Sequence, residues 1–354
     1  MEMTNWEKNI RKVIPYVPGE QPKRKDIIKL NTNENPYAPS PMVKEVLENY
    51  DYDNLRLYPD PDATKLVKSL ADTYGVEPEN VFVGVGSDDV LGMAFLTCFN
   101  ADKPILFPDI TYSFYDVWAD LFKIPYETQP LDNKLRINFD DYKKENGGII
   151  FPNPNAPTGE LETLASIEEV VKCNPDVVVM VDEAYIDFGG ESALPLIHKY
   201  DNLLVIQTFS KSRAMAGIRI GYAFGSKKLI RYMNDVKFSY NSYTMNHLTI
   251  EAGCACLADK AYFEKIVSQV IATREWTKAE LKKLGFDFGD SQANFIFAKH
   301  ESVSAEKIYE AAREAGIFVR YFKKPRIDNY LRISIGTDEE MKRFVQFLQE
   351  YLQR

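Results

Sequence analysis

Lys211 stands just past an apolar run in "VIQTFSKSRAMAGIRIGYAF", and Arg219 follows in the same short segment. A lysine held in such a place, desolvated or set beside another cation, becomes an amine nucleophile able to form an imine. An arginine beside it offers a rigid fork that chelates phosphate or carboxylate oxygens. A second apolar run ends in "DVVVMVDEAY", where Asp182 closes Val177 to Val181 and Tyr185 follows. A carboxylate there is at least partly buried and needs a cation or hydrogen-bond donors to stay ionised. Two more runs end in polar residues: "GVGSDD", with Ser87 and Asp88, and "NPNAPTG", with Asn155. Plainer readings compete. The lysine segment also reads as a basic surface loop, Asp182 as a helix cap, and "GVGSDD" as a turn capped by Ser87 or Asp88. "GVGSDD" lacks the third glycine of a dinucleotide fingerprint and has no P-loop lysine nearby. A turn that opens a helix still presents backbone N–H groups to a phosphate.

The elements that must position these residues are short apolar runs rich in branched side chains, at 80–86, 103–109, 147–155, 176–185, 202–210 and 217–224. Unbroken runs of this kind predict strands buried on both faces, as in a mostly parallel sheet. Apolar spacing of three and four predicts helices over 62–75 and 164–174, and the largely apolar 88–99 predicts a buried helix. Strands alternating with helices give α/β layering, in which ligands bind beyond the carboxyl ends of the parallel strands. The last third changes character. Long helical patterns over 251–285 precede "ANFIFAKH", "SAEKIYEAAREAG", "IFVRYF", "YLRISIG" and a final helix, which together predict a small α+β domain. The expected organisation is an N-terminal arm with part of the small domain over 1–45, a large domain over 46–265 and a small domain over 266–354.

The 354 residues carry 43 basic and 52 acidic side chains, a net charge of -9. Such a chain repels nucleic acid unless a local basic patch overrides the field, and the KKLIR and FKKPR clusters are short and isolated. Cys98, Cys173, Cys254 and Cys256 form no C-x-x-C pair, and the three histidines are scattered, so no metal site and reduced thiols are expected. The start "MEMTNWEKNI" is polar, and no run reaches 18 apolar residues, so a cytoplasmic protein without membrane contact is expected.

Together, "PNAPTG", "DEAY" and "TFSKSRAMAGIRIGY" resemble the fold-type-I aminotransferases that use pyridoxal 5′-phosphate. The segments "PYVPGEQP", "IIKLNTNENPYAPSP" and "LYPDP", with "VRYFKKPRIDNYLRISIGT" near the end, resemble one branch of that family. That branch moves an amino group between histidinol phosphate and 2-oxoglutarate, giving imidazole-acetol phosphate and glutamate, in histidine biosynthesis. The similarity runs from about residue 14 to residue 350. It implies a large PLP-binding domain with a mostly parallel seven-stranded sheet flanked by helices, a small α+β domain, and a homodimer with shared active sites. Lys211 would carry the cofactor covalently and move a proton, Asp182 would pair with the pyridine nitrogen, and Tyr185 would donate to the phenolic oxygen. Tyr112 would stack on the ring, while Ser87, Asp88, Thr208, Ser210 and Arg219 would hold its phosphate. Tyr58 would reach the phosphate bound by the partner subunit. Arg332 would bind the substrate's carboxylate or phosphate, with Arg320, Tyr16, Asn33 and Glu34 as further substrate residues.

One position departs from the family pattern. The family carries Asn just before Pro-Thr-Gly, where this chain has Ala156. The adjacent Asn155 either takes over the bond to the phenolic oxygen or serves the turn, leaving Tyr185 as the donor. Three other functions fit the same resemblance: an aromatic amino-acid aminotransferase, a decarboxylase of phosphorylated amino acids, and a catalytically silent regulator. The presence of both Lys211 and Asp182 opposes the last.

Overall fold

The chain's structure, a computed structural model, describes residues 6–23 and 26–353. Residues 1–5 of the expected N-terminal arm, with 24, 25 and 354, lie outside them. The N-terminal part gives one short strand, β1 (Ile28–Leu30), then helices α1 (Pro41–Glu48) and α2 (Thr64–Tyr74). Alternation begins with β2 (Val81–Gly84), α3 (Ser87–Cys98), β3 (Ile105–Pro108), α4 (Tyr115–Phe122) and β4 (Tyr126–Gln129). It continues through β5 (Ile149–Pro152), α5 (Leu164–Cys173), β6 (Val179–Asp182), β7 (Leu203–Thr208) and β8 (Gly221–Gly225). Helices α6 (Lys227–Tyr240), α7 (His247–Ala258) and α8 (Lys260–Lys283) lead to β9 (Phe286–Phe288) and β10 (Phe295–His300). The chain closes with α9 (Ala305–Glu314), β11 (Ile317–Tyr321), β12 (Leu331–Ser334) and α10 (Asp338–Leu352).

Seven strands form one sheet in the order β2-β8-β7-β6-β5-β3-β4. Only β8 runs against its neighbours, β7 and β2; the others are parallel, as the unbroken apolar runs predict. Alternate side chains feed two cores. Val83, Phe151, Val181 and Val205 pack on one face with Leu66 and Leu70, while Phe82, Ile150, Met180 and Ile206 pack on the other with Phe95 and Trp118. Each such side chain, fully buried, contributes about 1.5–3 kcal/mol, so the sheet is a stiff platform for the residues at its edge.

The predicted runs at 147–155 and 176–185 overshoot the observed strands, which stop at Pro152 and Asp182 where polar turns take over. Six elements have no counterpart in the sequence reading: β1, α1, β4, α4, α6 and β9. β4 is largely exposed and carries no apolar run, α4 is short and aromatic, and α6 reads in sequence only as a basic cluster.

A second, five-stranded sheet has the order β1-β11-β12-β10-β9. β1 lies parallel to β11, pairing Ile28 with Ile317, so the N-terminal segment completes a sheet built otherwise from the end of the chain. Ile296, Ile333, Phe344 and Leu348 form its core against α10, whose start is fixed by a reciprocal Thr337–Glu340 capping box. Among the described residues no helix is long and apolar enough to cross a membrane.

Candidate active site

A cavity of about 440 Å³ opens beyond the carboxyl ends of the parallel strands, with Tyr16, Asn33, Tyr112, Tyr185, Lys211, Arg219, Arg320 and Arg332 among its walls. Lys211 Nζ donates to the Thr32 carbonyl (3.3 Å) and lies 5.8 Å from the centre of the Tyr185 ring. The segment is not a solvated basic loop. Asn35 Nδ2 donates to the Lys211 carbonyl (3.0 Å), Ser212 Oγ bonds Asp187, and the buried Arg213 guanidinium lies 4.2 Å from the centre of the Phe263 ring. Lys211 is thereby held by its main chain while its amine faces the cavity.

Asp182 ends β6 just behind this wall and is 5% exposed. Tyr115 Oη donates to its Oδ2 (2.9 Å) and the Ala184 N–H to its Oδ1 (3.2 Å). Burial pushes its carboxyl up to about 6, and those two bonds only partly oppose the rise. No described cation lies within ion-pair distance of it. A buried acid served only by neutral donors is suited to a cationic partner such as a protonated ring nitrogen. Tyr115, fully buried at the start of α4, escaped the sequence reading because no motif marks it. Glu183 points elsewhere, accepting from Ser192 Oγ (2.5 Å), Ala193 N–H (2.7 Å) and Gln207 Nε2 (2.8 Å).

The anion end is built around the turn into α3. Gly86 adopts φ +87, and a Cβ there would lie 2.3 Å from Arg219 Nη2. A Cβ on Gly221 would lie 2.3 Å from the Gly86 carbonyl carbon, so glycine at both positions lets β8 bring Arg219 against the helix start. Ser87 and Asp88 occupy the first turn, whose free N–H groups suit a phosphate. The Asp88 carboxylate cannot join them, since like charge repels. It accepts instead from Tyr112 Oη (2.8 Å) and from Arg219 Nη2 (3.4 Å), which leaves only its backbone N–H for the expected role. Thr208 and Ser210 are buried and bonded to each other, Thr208 Oγ1 donating to Ser210 Oγ at 3.0 Å. Tyr58 is 81% exposed, lies outside this cavity, and packs on Tyr243 with ring centres 4.7 Å apart.

At the other end Arg320 and Arg332 face each other across β11 and β12. Arg332 Nη2 donates to the Asn31 carbonyl (3.0 Å), while its buried Nε has no hydrogen-bond partner among the described residues. Burial, with help from Arg320, lowers the Arg332 guanidinium from its ordinary value. Neither arginine meets a carboxylate among the described residues. Like charges opposed on a strand pair repel, and an unpaired buried N–H is costly; an anion between them relieves both. Tyr16 stacks on Phe114 at 4.5 Å to complete this wall.

Three expected residues are placed otherwise. Asn155 is 1% exposed; its amide donates to Ile110 O (3.0 Å) and Thr158 Oγ1 (3.2 Å), and its Oδ1 accepts from Thr111 (3.2 Å). These bonds tie Asn155 into the turn and engage both its amide protons, and Ala156 and Pro157 form the cavity wall there. Glu34 bonds Lys29 Nζ (2.5 Å) and Thr32 Oγ1 (2.6 Å) and lines a neighbouring cavity with Arg343, so it does not face the substrate space. Asn33 reaches the wall, but its polar groups are committed to other protein groups.

A lysine amine near a buried acid and a phosphate-ready helix start, set on this strand order, defines a fold-type-I transferase. The sequence matches the family Aminotransferase class I and II over residues 25–348. It is 52% identical to the histidinol-phosphate aminotransferase of Lactococcus lactis subsp. cremoris over 348 residues, 98% of each chain. It is 50% identical to that of Clostridium acetobutylicum over 345 residues, again 98% of each. The fold matches histidinol-phosphate aminotransferase from Sinorhizobium meliloti in complex with pyridoxal-5′-phosphate, with a TM-score of 0.87 and 23% identity, over 96% of this chain and 95% of that one. The chain belongs to the class I and II aminotransferases, within the histidinol-phosphate aminotransferase family.

Proposed function

We propose that this chain moves an amino group between histidinol phosphate and 2-oxoglutarate with pyridoxal 5′-phosphate as cofactor. The observation that carries the reading is one cavity holding Lys211 together with Arg320 and Arg332, two cations without acidic partners among the described residues. The residues fit the cofactor. Asp182 is a buried acid awaiting a cation, Arg219 and the α3 start suit its phosphate, and Tyr112 and Tyr185 supply ring and hydroxyl. When bound, the cofactor supplies an electron-withdrawing ring that stabilises negative charge at the substrate carbon. Asp182 would hold the ring nitrogen and, ionised, would favour its protonated form. Lys211 Nζ would hold the cofactor and, once the substrate amine had displaced it, would be the free amine that takes the proton from the substrate Cα. Arg332 and Arg320 grip the carboxylate of glutamate or the phosphate of histidinol phosphate, and that remote grip orients the Cα–H bond. Walls made by Tyr16, Phe114 and Phe322 give an aromatic side chain such as imidazole a flat surface.

The exposed Tyr58 packs on the exposed Tyr243, and Tyr52, Leu55 and Leu57 of its own segment are exposed as well. Such a patch supports a homodimer in which Tyr58 serves the partner's cofactor phosphate. A cytoplasmic enzyme with small-molecule partners fits the net charge of -9.

The test is steady-state kinetics with histidinol phosphate, phenylalanine, tyrosine and O-phosphothreonine, each with 2-oxoglutarate. Histidinol phosphate is expected to give the highest kcat/KM. A better aromatic donor would reassign the substrate, carbon dioxide release from O-phosphothreonine would indicate a decarboxylase, and absence of both turnover and cofactor absorbance would indicate a silent regulator.

A further inference from the structure

Asn33 ties the two sheets together through its amide and its main chain. Its backbone N–H donates to Ser334 Oγ (2.9 Å), and its carbonyl accepts from Asn294 Nδ2 (3.0 Å). Ser334 Oγ donates to Asn33 Oδ1 (2.8 Å), and Asn33 Nδ2 donates to Tyr185 Oη (2.9 Å). These directions leave every proton of the group with an acceptor: that of Ser334 Oγ has none but Asn33 Oδ1 among the described residues. The Ser334 oxygen takes the backbone proton, so its own proton is free for Asn33 Oδ1. With its oxygen taken by Ser334, the amide turns its NH₂ toward Tyr185, and an amide nitrogen only donates. Tyr185 Oη therefore accepts from Asn33 and must send its own proton elsewhere.

The cavity is where that proton can go. Asn33, Tyr185 and Lys211 share its wall, and Tyr185 Oη bonds no other described residue. Ala156, on the same wall, offers no side-chain donor. The arrangement is also tightly specified. Asn33 is 1% exposed and Ser334 2%, and Asn33 holds φ 57, a left-handed conformation that asparagine tolerates better than most residues. Ser334 lies two residues beyond Arg332 in β12, so both project from the same face of one strand.

We propose that Asn33 and Ser334 are positioning residues that aim the Tyr185 proton into the cavity, toward the cofactor's phenolic oxygen. The role replaces the direct substrate contact expected for Asn33, and it rests on the cofactor reading above. The small sheet thus sets the hydrogen-bond direction of a residue carried by the large one.

The experiment reads the pH midpoint of the holoenzyme's visible absorbance, which depends on how well the phenolic oxygen is supplied with a donor. Asn33→Asp keeps shape and backbone preference but turns the donor into an acceptor, so the Tyr185 proton swings to residue 33. The midpoint is expected to rise by about one to two units, because a hydrogen bond to a charged acceptor is worth a factor of about ten to a hundred. Tyr185→Phe should raise it by a similar amount, and the double variant should go little further. Ser334→Ala frees the amide to turn and should give a smaller rise in the same direction, which also provides the test should the Asn33 variant fail to fold. An equal rise from Asn33→Asp in the Tyr185→Phe background would mean that the added charge acts directly, and would overturn the relay. Unchanged midpoints in Asn33→Asp and Ser334→Ala, beside a shifted Tyr185→Phe, would overturn it too. An unchanged midpoint in Tyr185→Phe would sink the reading of Tyr185 itself, and the relay with it.

Discussion

Replacing Asp182 with asparagine should make the cofactor-stripped protein more stable while it cripples the enzyme. Burial pushes this carboxyl from 3.8 to about 6, with the Tyr115 and Ala184 bonds opposing. The folded value lies above the unfolded one. The carboxyl therefore costs nothing below the unfolded value and progressively more as pH rises through about 6, where the fold must hold a buried charge. A rise of about two pH units corresponds to about 3 kcal/mol. Asparagine keeps the shape, retains an oxygen for the Ala184 N–H, and can donate its nitrogen's proton to Tyr115 Oη. Cofactor-stripped Asp182→Asn should melt roughly 5 °C above the stripped wild type at pH 7.5 and level with it near pH 4. Added cofactor should raise its Tm less than it raises the wild type's, and kcat should fall severely. Calorimetry at several pH values, with and without cofactor, checks each part. A variant that melts lower at pH 7.5, or a gap that ignores pH, would refute the assignment of Asp182 as a buried charge held ready for a cation.

Lys211→Ala should abolish both the visible absorbance of the cofactor-loaded protein and turnover; substantial residual transamination would sink the mechanism. Gly86→Ala places a methyl group within 2.3 Å of Arg219 Nη2 and strains a backbone at φ +87, so the guanidinium must move. The cofactor's Kd should then rise about tenfold or more, a change of about 1.4 kcal/mol, and unchanged affinity in a fluorescence titration would take Arg219 out of the phosphate site. Arg332→Lys loses the fork but keeps the charge, so KM should rise about tenfold for 2-oxoglutarate and histidinol phosphate alike, with a smaller change in kcat. A rise for only one of the two would place their anions at different groups.

What was legible in the sequence follows from where each signal resides. Interior strands such as β6 and β7 are buried on both faces and leave continuous apolar runs, and the polar residues that end those runs, Asp182 and Lys211, are read directly from their position. β4 sits at the sheet edge with Tyr126, Glu127 and Thr128 exposed, so no apolar run marks it. The site residues whose surroundings the sequence did not show depend on partners far away in sequence. Asn155 is held by Ile110 and Thr111, Asn33 by Ser334 and Asn294, and Tyr115 reaches Asp182 of β6 from the start of α4. The types of those residues were visible, but their hydrogen-bond partners exist only in the folded molecule.

The pairing of β1 with β11 also orders events during synthesis. Strands of the large sheet all lie between residues 81 and 225, so that sheet can assemble while the rest of the chain is still on the ribosome. Residues 28–30 emerge early but wait for residues 317–319 before they gain a neighbour. Arg320, Arg332 and Ser334 arrive in the same late stretch. A nascent chain can therefore present Lys211, Asp182 and Arg219 well before it has a place for the substrate's anion, and only a nearly finished polypeptide can close its own reaction chamber.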